Sequence, residues 1–285
     1  MRSITIPAGL QHNLGGHAAG RVWLAELPQM VASFVKRWQL RLEAPFEHDV
    51  TGAWVAPCQT PEHPMAVFKL GWPHYEATWE IDGLAAWRGE HTVHLLDHDR
   101  SRHALLLERL MPGHALSGED AMTQDREIGR LLPLLWSTPP PPGVAPLTQM
   151  IERWVVGAQA RIPQLPAAHR AMVAAGMTEL RTLAVDPVAA RLLATDLHAG
   201  NVLAGTRRPW VVIDPKPFVG DPCYDLTQHL LNIKPRLESE GSAVVKQLAA
   251  ATGVDAHRVW RWLFARLCLQ VDDVALARKV SAWSL

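Results

Sequence analysis

The hydrophobic pattern of the chain changes at the Met-Pro-Gly sequence of residues 111–113, and this change constrains the fold most strongly. Before it, short apolar runs with strand-like alternation predominate after residue 46. Beyond it, nearly every segment places apolar residues at helical spacing. Pro and Gly interrupt regular elements, so a boundary is expected here. We predict an α+β protein with an N-terminal lobe over residues 1–110 and a helical C-terminal lobe over residues 111–285.

The first lobe is expected to combine an antiparallel sheet with two helices. Helical spacing predicts a helix over residues 22–40 and another over residues 74–88. Between residues 46 and 70, two strand-like runs flank a turn at residues 61–64, which indicates a hairpin. The segments TVHLLDH and HALLLERL are predicted to form two further strands, the second of them buried on both faces.

The second lobe is expected to consist almost entirely of helices. A Pro-rich loop at residues 139–142 should form a surface connection between the first two helices. Two short segments interrupt the helical pattern, with the sequences LLATDLHAGNVLAG and RPWVVIDPKPFVGDP. The predicted helices cover residues 118–136, 145–162, 167–184, 224–252 with a break at Pro235, and 256–282.

The segment DLHAGN, from Asp196 to Asn201, carries the strongest chemical signal. An Asp and an Asn five positions apart, in a loop before an apolar strand, have the spacing of kinase catalytic loops. Further along, the apolar run VVI ends at Asp214. Because Mg²⁺ prefers oxygen ligands and phosphates, Asn201 and Asp214 at the ends of paired strands would suit it. Asp196 is then the candidate base for an acceptor hydroxyl group.

Lys69 lies inside the apolar strand AVFKL and needs an anionic partner, because an unpaired buried ammonium group is costly. The following helix offers Glu76 and Glu80, one turn apart on the same face. Glu80 is the preferred partner of Lys69, because its spacing from the apolar residues after it is that of a core-facing position. Such a pair would aim the ammonium group at the α- and β-phosphates of a nucleotide. The alternative is that Lys69 reaches solvent from an edge strand.

The segment LERL at residues 107–110 is the candidate hinge between the lobes. In two-lobed kinases the backbone of this segment holds the adenine, so Glu108 and Leu110 are candidate nucleotide-binding residues by position alone. The loop expected to cover the phosphates, residues 50–54, offers only Gly52 among glycines. Few backbone contacts to phosphate are therefore expected there.

With these segments, the sequence resembles the aminoglycoside phosphotransferase family, more narrowly the branch of streptomycin 6-kinases and hydroxyurea phosphotransferases. The resemblance covers residues 38–232 and is most specific in IDPKPFVGDPCYD. It implies a two-lobed protein-kinase-like fold with ATP and Mg²⁺ as cofactors. It also implies that Asp196 is the catalytic aspartate and that Asn201 and Asp214 are metal ligands.

The same resemblance makes Lys69 and Glu80 the phosphate-binding pair. Three other polar residues of these segments have structural explanations. Asp221 and Asp225 are expected to act as loop and helix caps. His198 is expected to pack or to hydrogen-bond within its own loop.

The expected function is transfer of phosphate from ATP to an alcohol group of a streptomycin-like aminoglycoside. One alternative is a kinase of the same fold for hydroxyurea or a metabolite, and another is an inactive nucleotide-binding module. The candidate base argues against the inactive module, since binding alone does not need it. A cationic acceptor would need carboxylates, although charge clusters of this kind usually form solvated helix faces. The C-terminal helices offer Glu238, Glu240, Asp272 and Asp273.

Composition limits the partners and the location. Lys and Arg together number 28, as do Asp and Glu, so the basic excess of a nucleic-acid-binding protein is missing. Six prolines between residues 131 and 151 exclude a membrane helix there, and no membrane association is expected. The first twenty residues lack an apolar signal segment, and Cys58, Cys223 and Cys268 have no CxxC spacing. These features predict a cytoplasmic protein that is a monomer or a weak dimer.

Overall fold

The computed structural model describes residues 4–47 and 52–283, and its first lobe contains a five-stranded antiparallel sheet with the strand order β1-β2-β3-β5-β4. The predicted hairpin is confirmed as β2 paired with β3, in which Lys69 lies opposite Val55. The start of its predicted first strand, residues 48–51, lies outside the described residues. The elements are α1 (Ala8–Gly15), α2 (Ala18–Arg37), β1 (Arg41–Leu42), β2 (Ala53–Gln59), β3 (Ala66–Gly71), α3 (Glu80–Trp87), β4 (Leu95–Asp99) and β5 (Ala104–Glu108).

Helix α2 covers one face of this sheet, because its apolar residues recur at helical spacing. Trp23, Leu27, Val31 and Phe34 are all buried on that face. Phe34 contacts Phe68 of β3 with 5.4 Å between the ring centroids. Burying each such side chain contributes roughly 1.5–3 kcal/mol to folding. The helix therefore fixes the strand that carries Lys69.

The predicted helix over residues 74–88 is only partly correct. A 3₁₀ turn at Tyr75–Ala77 comes first, and helix α3 begins at Glu80. The turn is held by contacts with the second lobe: the Tyr75 hydroxyl donates to Gln149 at 3.2 Å, and Trp154 Nε1 donates to Glu76 at 2.9 Å. These tertiary contacts override the helical pattern of the sequence.

Helices form most of the second lobe, and short strands position its loops. Strands β6, β8 and β9 form one antiparallel sheet, while β7 and β10 form another. The elements are β6 (Pro112–Ala115), α4 (Ala121–Trp136), α5 (Leu147–Arg161), α6 (Ala167–Val185), β7 (Arg191–Leu193), β8 (Val202–Gly205), β9 (Trp210–Val212), β10 (Phe218–Gly220), α7 (Pro222–Asn232), α8 (Lys234–Glu240), α9 (Ser242–Thr252), α10 (Ala256–Cys268) and α11 (Val274–Ser281).

Two of the predicted long helices are divided in the structure. The segment 224–252 forms α7, α8 and α9, and the second break falls at Gly241, whose φ of +62° cannot continue a right-handed helix. The segment 256–282 is divided between α10 and α11 by a short turn. The other three helices of this lobe, α4, α5 and α6, agree with the prediction to within a few residues.

Among the residues the structure describes, no helix combines the length and the apolar character that crossing a bilayer requires. The three cysteines are buried and free.

Helix α3 packs tightly against the loop before β10. A Cβ atom on Gly83 would lie 2.2 Å from Cγ of Pro217 and 2.8 Å from Trp87. The ring of Trp79, just before the helix, lies 5.1 Å from that of Phe218. This contact fixes the helix that begins with Glu80 against the second lobe.

We expect Gly83→Ala to destabilise the protein by about 1–3 kcal/mol, because the added methyl group has no space. Gly157→Ala is the matched control, since nothing lies within 4 Å of a Cβ atom at that helical position. The control should be neutral or stabilising by up to about 1 kcal/mol. Urea unfolding of both variants measures the difference. Equal stabilities would show that the contact between α3 and Pro217 is not tight.

Candidate active site

A group of charges around the buried Lys69 and Glu80 joins the first lobe to the second. Lys69 Nζ lies 2.5 Å from Oε1 of Glu80 and 2.5 Å from Oδ1 of Asp214. Lys69 is 7% exposed and Glu80 is 5% exposed. The partner of Lys69 is therefore Glu80 rather than Glu76, which instead accepts a hydrogen bond from Trp154. Lys69 does not reach solvent as the alternative reading required.

The surrounding charges determine which of these groups is ionised. Burial alone would lower the pKa of Lys69, but the charges of Asp214 and Glu80 outweigh it and raise that pKa. Burial opposes the charge of Asp214 as well, yet Lys69 and Lys216 together hold the pKa of Asp214 below its usual range. For Glu80, burial dominates and raises the pKa. Lys69 and Asp214 are thus held in their charged forms, whereas burial opposes the charge of Glu80 and the contact with Lys69 supports it.

The loop that carries Asp196 is held in a strained conformation. Thr195 has a φ of +50°, which is unfavourable for a β-branched residue. The fully buried carboxylate of Asp225 accepts the backbone N–H groups of Ala194 at 3.0 Å and of Thr195 at 2.7 Å. It also accepts Nε1–H of Trp136 at 2.9 Å. The expected structural role of Asp225 is confirmed: it anchors the backbone just before Asp196.

Asn201 and Asp214 supply oxygen atoms to the same polar cavity, which has a volume of about 380 Å³. Nδ2 of Asn201 donates to the backbone oxygen of Asp196 at 3.0 Å, which leaves Oδ1 of Asn201 as an acceptor. Asp214 has a φ of +49° and a side chain that is 43% exposed. One carboxylate and one amide oxygen beside a space for phosphate fit the donor set of Mg²⁺.

In the described part of the chain, no cluster of three or more His, Cys, Asp or Glu side chains could hold a metal by itself. A metal ion at Asn201 and Asp214 would therefore need further oxygens from a bound phosphate or from water. This requirement is typical of Mg²⁺ sites in phosphoryl-transfer enzymes.

Lys216 belongs to this group, although sequence reasoning gave it no role. Its ammonium group contacts Oδ2 of Asp196 and lies 3.9 Å from Oδ2 of Asp214. Burial opposes its charge, but Asp214 and Asp196 raise its pKa. The sequence contained one indication of such a role: Lys216 lies two positions after the candidate metal ligand Asp214, in a segment whose other residues are mostly apolar. Two ammonium groups, those of Lys69 and Lys216, thus flank Asp214.

The side chains of the candidate hinge are occupied by structural contacts. Oε1 of Glu108 accepts the backbone N–H of His94 at 3.0 Å and Nη2–H of Arg207 at 2.6 Å. Leu110 packs against the small apolar cluster that contains Val211. The backbone N–H of Glu108 also donates, to the carbonyl oxygen of His94 at 3.0 Å. Contacts with a nucleotide at this segment would therefore come from its remaining backbone groups. In the loop expected to cover the phosphates, residues 50 and 51 lie outside the described residues.

Two further residues have the structural roles expected for them. Nδ1 of His198 accepts the backbone N–H of Gly200 at 3.1 Å, within its own loop. The Asp221 carboxylate caps helix α7 by accepting the N–H of Cys223 at 3.0 Å. It also accepts Nε1–H of Trp262 at 2.9 Å.

The C-terminal carboxylates do not form one acidic acceptor site. Asp272 and Asp273 line a second cavity, but Asp273 is paired with Lys234, with both carboxylate oxygens 2.8 Å from Nζ. Glu238 and Glu240 line neither cavity. Of the four carboxylates considered from the sequence, only Asp272 is available to a ligand of this cavity without breaking an ion pair.

Comparison with known proteins agrees with the kinase-like geometry of this site. Residues 37–275 match the family model described as aminoglycoside/hydroxyurea antibiotic resistance kinase. A hydroxyurea phosphotransferase from Kitasatospora aureofaciens is 36% identical, over 96% of this chain and 82% of that protein. A streptomycin 6-kinase from Streptomyces griseus is 34% identical, over 93% of this chain and 89% of that protein. The resemblance stated from the sequence is confirmed.

Solved structures confirm the fold. A choline kinase from Streptococcus pneumoniae superposes with a TM-score of 0.62 at 13% identity, over 91% of this chain and 93% of that chain. A macrolide 2'-phosphotransferase from Brachybacterium faecium gives a TM-score of 0.57 at 16% identity, over 92% of this chain and 99% of that chain. The α+β, protein-kinase-like architecture predicted from the sequence is therefore present.

Because Asp225 is buried, the free energy of unfolding should depend on pH. Burial raises the pKa of Asp225 from 3.8 to about 6, so the folded state holds a proton that the unfolded state releases between these values. The associated stabilisation, about 3 kcal/mol, is complete below pH 4 and is lost as the pH rises through 6. We expect the unfolding free energy of wild type relative to Asp225→Asn to fall by about this amount over that range. A relative free energy that rises or stays constant from pH 4 to pH 6 would contradict this linkage.

Proposed function

The chain belongs to the aminoglycoside/hydroxyurea antibiotic resistance kinase family, and we propose that Asp196, Lys69, Lys216, Asn201 and Asp214 carry its phosphoryl transfer. It is an ATP-dependent phosphotransferase whose acceptor is an alcohol group of a small molecule. The observation that carries the assignment of residues is the unbroken series of contacts from Glu80 to Asp196 beside one polar cavity.

In this proposal, the first lobe holds the nucleotide. The backbone at Glu108 and Leu110 binds the adenine, and Lys69, fixed by Glu80, binds the α- and β-phosphates. Asn201 and Asp214 would hold Mg²⁺. A bound Mg²⁺ ion would neutralise part of the negative charge on the phosphates. We place the lobe boundary, as predicted, between residues 110 and 111.

Asp196 is proposed to receive the proton of the acceptor hydroxyl group. The acceptor oxygen forms a bond to the γ-phosphorus, the bond between that phosphorus and the leaving oxygen of ADP breaks, and the proton passes to the Asp196 carboxylate. The strained backbone at Thr195 and its anchor on Asp225 fix the position of this carboxylate. Positioning of this kind lowers the barrier without any covalent intermediate on the protein.

Lys216 is proposed to stabilise the transferring phosphoryl group. In the structure, its ammonium group lies between the candidate base and the candidate metal ligand. A cation at this position faces the negative charge on the equatorial oxygens of the γ-phosphoryl group. The contact with Asp196 holds the ammonium group of Lys216 at this position.

Hydroxyurea and streptomycin are the two acceptors suggested by the names of the relatives. They differ greatly in size and charge, so they are informative as a pair.

We further propose that the protein acts in the cytoplasm as a monomer or weak dimer. The burial of three free cysteines is compatible with a reducing environment.

The role of Asp196 is tested by Asp196→Asn. We expect kcat to fall about 10²- to 10⁴-fold, because the proton acceptor is lost, while the affinity for Mg²⁺–ATP changes little. Mass spectrometry of acceptors that gain one phosphate measures turnover, and calorimetry measures nucleotide binding. Undiminished turnover in this variant would remove Asp196 from the mechanism.

The role of Lys216 is tested by Lys216→Met, which should lower kcat about 10²- to 10³-fold by analogy with loss of one preorganised donor. Lys36→Met, at an exposed position of α2, is the matched control and should retain full activity. In Lys216→Cys, alkylation of the introduced thiol with 2-bromoethylamine restores an ammonium group. The native cysteines are buried, so this reaction should be selective. Failure of the regenerated amine to restore any activity would argue that Lys216 acts only in packing.

A further inference from the structure

One wall of the catalytic cavity has no role in the transfer proposed above. The first turn of α4 and the last turn of α7 form this wall, and they contribute the polar side chains of Gln124, His229 and Asn232. Most of the other lining residues lie between residues 196 and 216, the part of the chain to which the proton acceptor and the metal are assigned. The α4–α7 wall is therefore left for the phosphoryl acceptor.

The two amide groups of the α4–α7 wall are oriented by hydrogen bonds through their nitrogen atoms. Nε2 of Gln124 donates to the backbone oxygen of Glu119 at 2.7 Å. Nδ2 of Asn232 donates to the backbone oxygen of Gln228 at 2.8 Å. In the part of the chain that the structure describes, neither amide oxygen has a hydrogen-bond partner. Each oxygen therefore remains a hydrogen-bond acceptor with both of its lone pairs.

His229 adds a third hydrogen-bond acceptor, because a buried carboxylate fixes the proton on its other ring nitrogen. Nε2 of His229 lies 3.0 Å from Oδ1 of Asp125, and Arg236 donates to both oxygens of that carboxylate. Burial opposes the charge of Asp125, yet hydrogen bonds from His229 and Arg236 hold its pKa below its usual range. An ionised carboxylate can only accept, so the proton belongs to Nε2 of His229. In the neutral imidazole, Nδ1 is then an acceptor.

Nδ1 of His229 is buried and has no hydrogen-bond partner among the residues the structure describes. The residue is only 1% exposed, although it lines the cavity. Buried polar atoms without a partner are rare, because leaving one unpaired is costly. An N–H group of a ligand that reached Nδ1 would supply the missing partner.

We infer that Gln124, His229 and Asn232 bind the phosphoryl acceptor by accepting N–H groups of a ureido or guanidino substituent that lies near the reacting hydroxyl group. This inference rests on the proposed function, because it assigns the α4–α7 wall to the acceptor of that reaction. Uncharged oxygen and nitrogen atoms accept hydrogen bonds from neutral and from cationic N–H groups alike.

The two acceptors proposed above share this type of substituent. Hydroxyurea has N–H groups beside its hydroxyl group, and streptomycin has guanidino groups on a ring that also bears hydroxyl groups. A wall of uncharged hydrogen-bond acceptors therefore fits both molecules, despite their difference in charge.

The test compares two pairs of molecules that differ in their N–H groups. Streptidine and scyllo-inositol share a ring of hydroxyl groups, but only streptidine has guanidino groups. Hydroxyurea and acetohydroxamic acid share an N-hydroxyl group, but a methyl group replaces the NH₂ group in the second. Calorimetry uses the full chain with saturating Mg²⁺ and a non-hydrolysable ATP analogue. We expect streptidine or hydroxyurea to bind at least tenfold more tightly than its partner molecule. Equal affinities within both pairs, or no binding of either molecule, would overturn the inference.

Variants locate the binding. Gln124→Met and Asn232→Leu each remove one amide oxygen and should weaken binding of the preferred molecule about three- to tenfold. Asn232 is exposed, so Asn232→Leu should fold even if Gln124→Met does not. Gln11→Met is the matched control and should bind as wild type does, since Gln11 is exposed on α1 and its Nε2 likewise donates to a backbone oxygen, that of Ile6 at 2.7 Å.

A conservative variant separates hydrogen bonding from packing. Asn232→Asp keeps an oxygen atom at this position, so it should bind the preferred molecule at least as tightly as about half the wild-type affinity. Binding that is unchanged in Gln124→Met and Asn232→Leu, or lost equally in Asn232→Leu and Asn232→Asp, would overturn the inference.

The part played by His229 is tested by ¹⁵N NMR, with His229→Gln used to assign the signal. In the free chain, Nδ1 should have the chemical shift of an unprotonated imidazole nitrogen, and the preferred molecule should move it toward that of a hydrogen-bonded one. A protonated Nδ1, or a signal that does not respond to the ligand, would remove His229 from the inferred site.

Steady-state kinetics distinguishes failure of this inference from failure of the proposed function. Gln124→Met and Asn232→Leu should raise KM for hydroxyurea or streptomycin about three- to tenfold and change kcat little. Transfer that requires Asp196 but is insensitive to both variants would overturn the inference and leave the proposed function intact. Binding that depends on Gln124 and Asn232, with transfer unaffected by Asp196→Asn, would do the reverse.

Discussion

The burial of one ammonium group determines how the two parts of this molecule meet. Lys69 is a fixed cation in the central strand of the first sheet, and an unpaired charge there would be prohibitively costly. Its partners come from different elements: Glu80 begins helix α3, and Asp214 follows strand β9 of the second lobe. Removing one partner of such a buried pair typically costs about 3–5 kcal/mol. The requirement to pair Lys69 therefore also brings together the residues of the candidate active site.

Two of the five non-glycine residues with positive φ in the described part of the chain lie at the candidate base and the candidate metal ligand. Thr195, before Asp196, and Asp214 itself have left-handed backbone conformations, although neither is glycine. Strain of this kind persists only where the surroundings compensate for it. Here the compensation comes from Asp225, which accepts two backbone N–H groups of the loop, and from the ion pair of Asp214 with Lys69. The buried carboxylate is thus part of what positions the candidate base, although it does not line the cavity.

The sequence predicted what depends on local pattern and missed what depends on distant contacts. The hairpin that carries Lys69 and the choice of Glu80 over Glu76 followed from periodicity and spacing. The break at Gly241 was missed, because a glycine within a helical pattern does not reveal its φ value. Lys216 was missed because its partner Asp196 lies twenty positions away and only the folded chain brings them together.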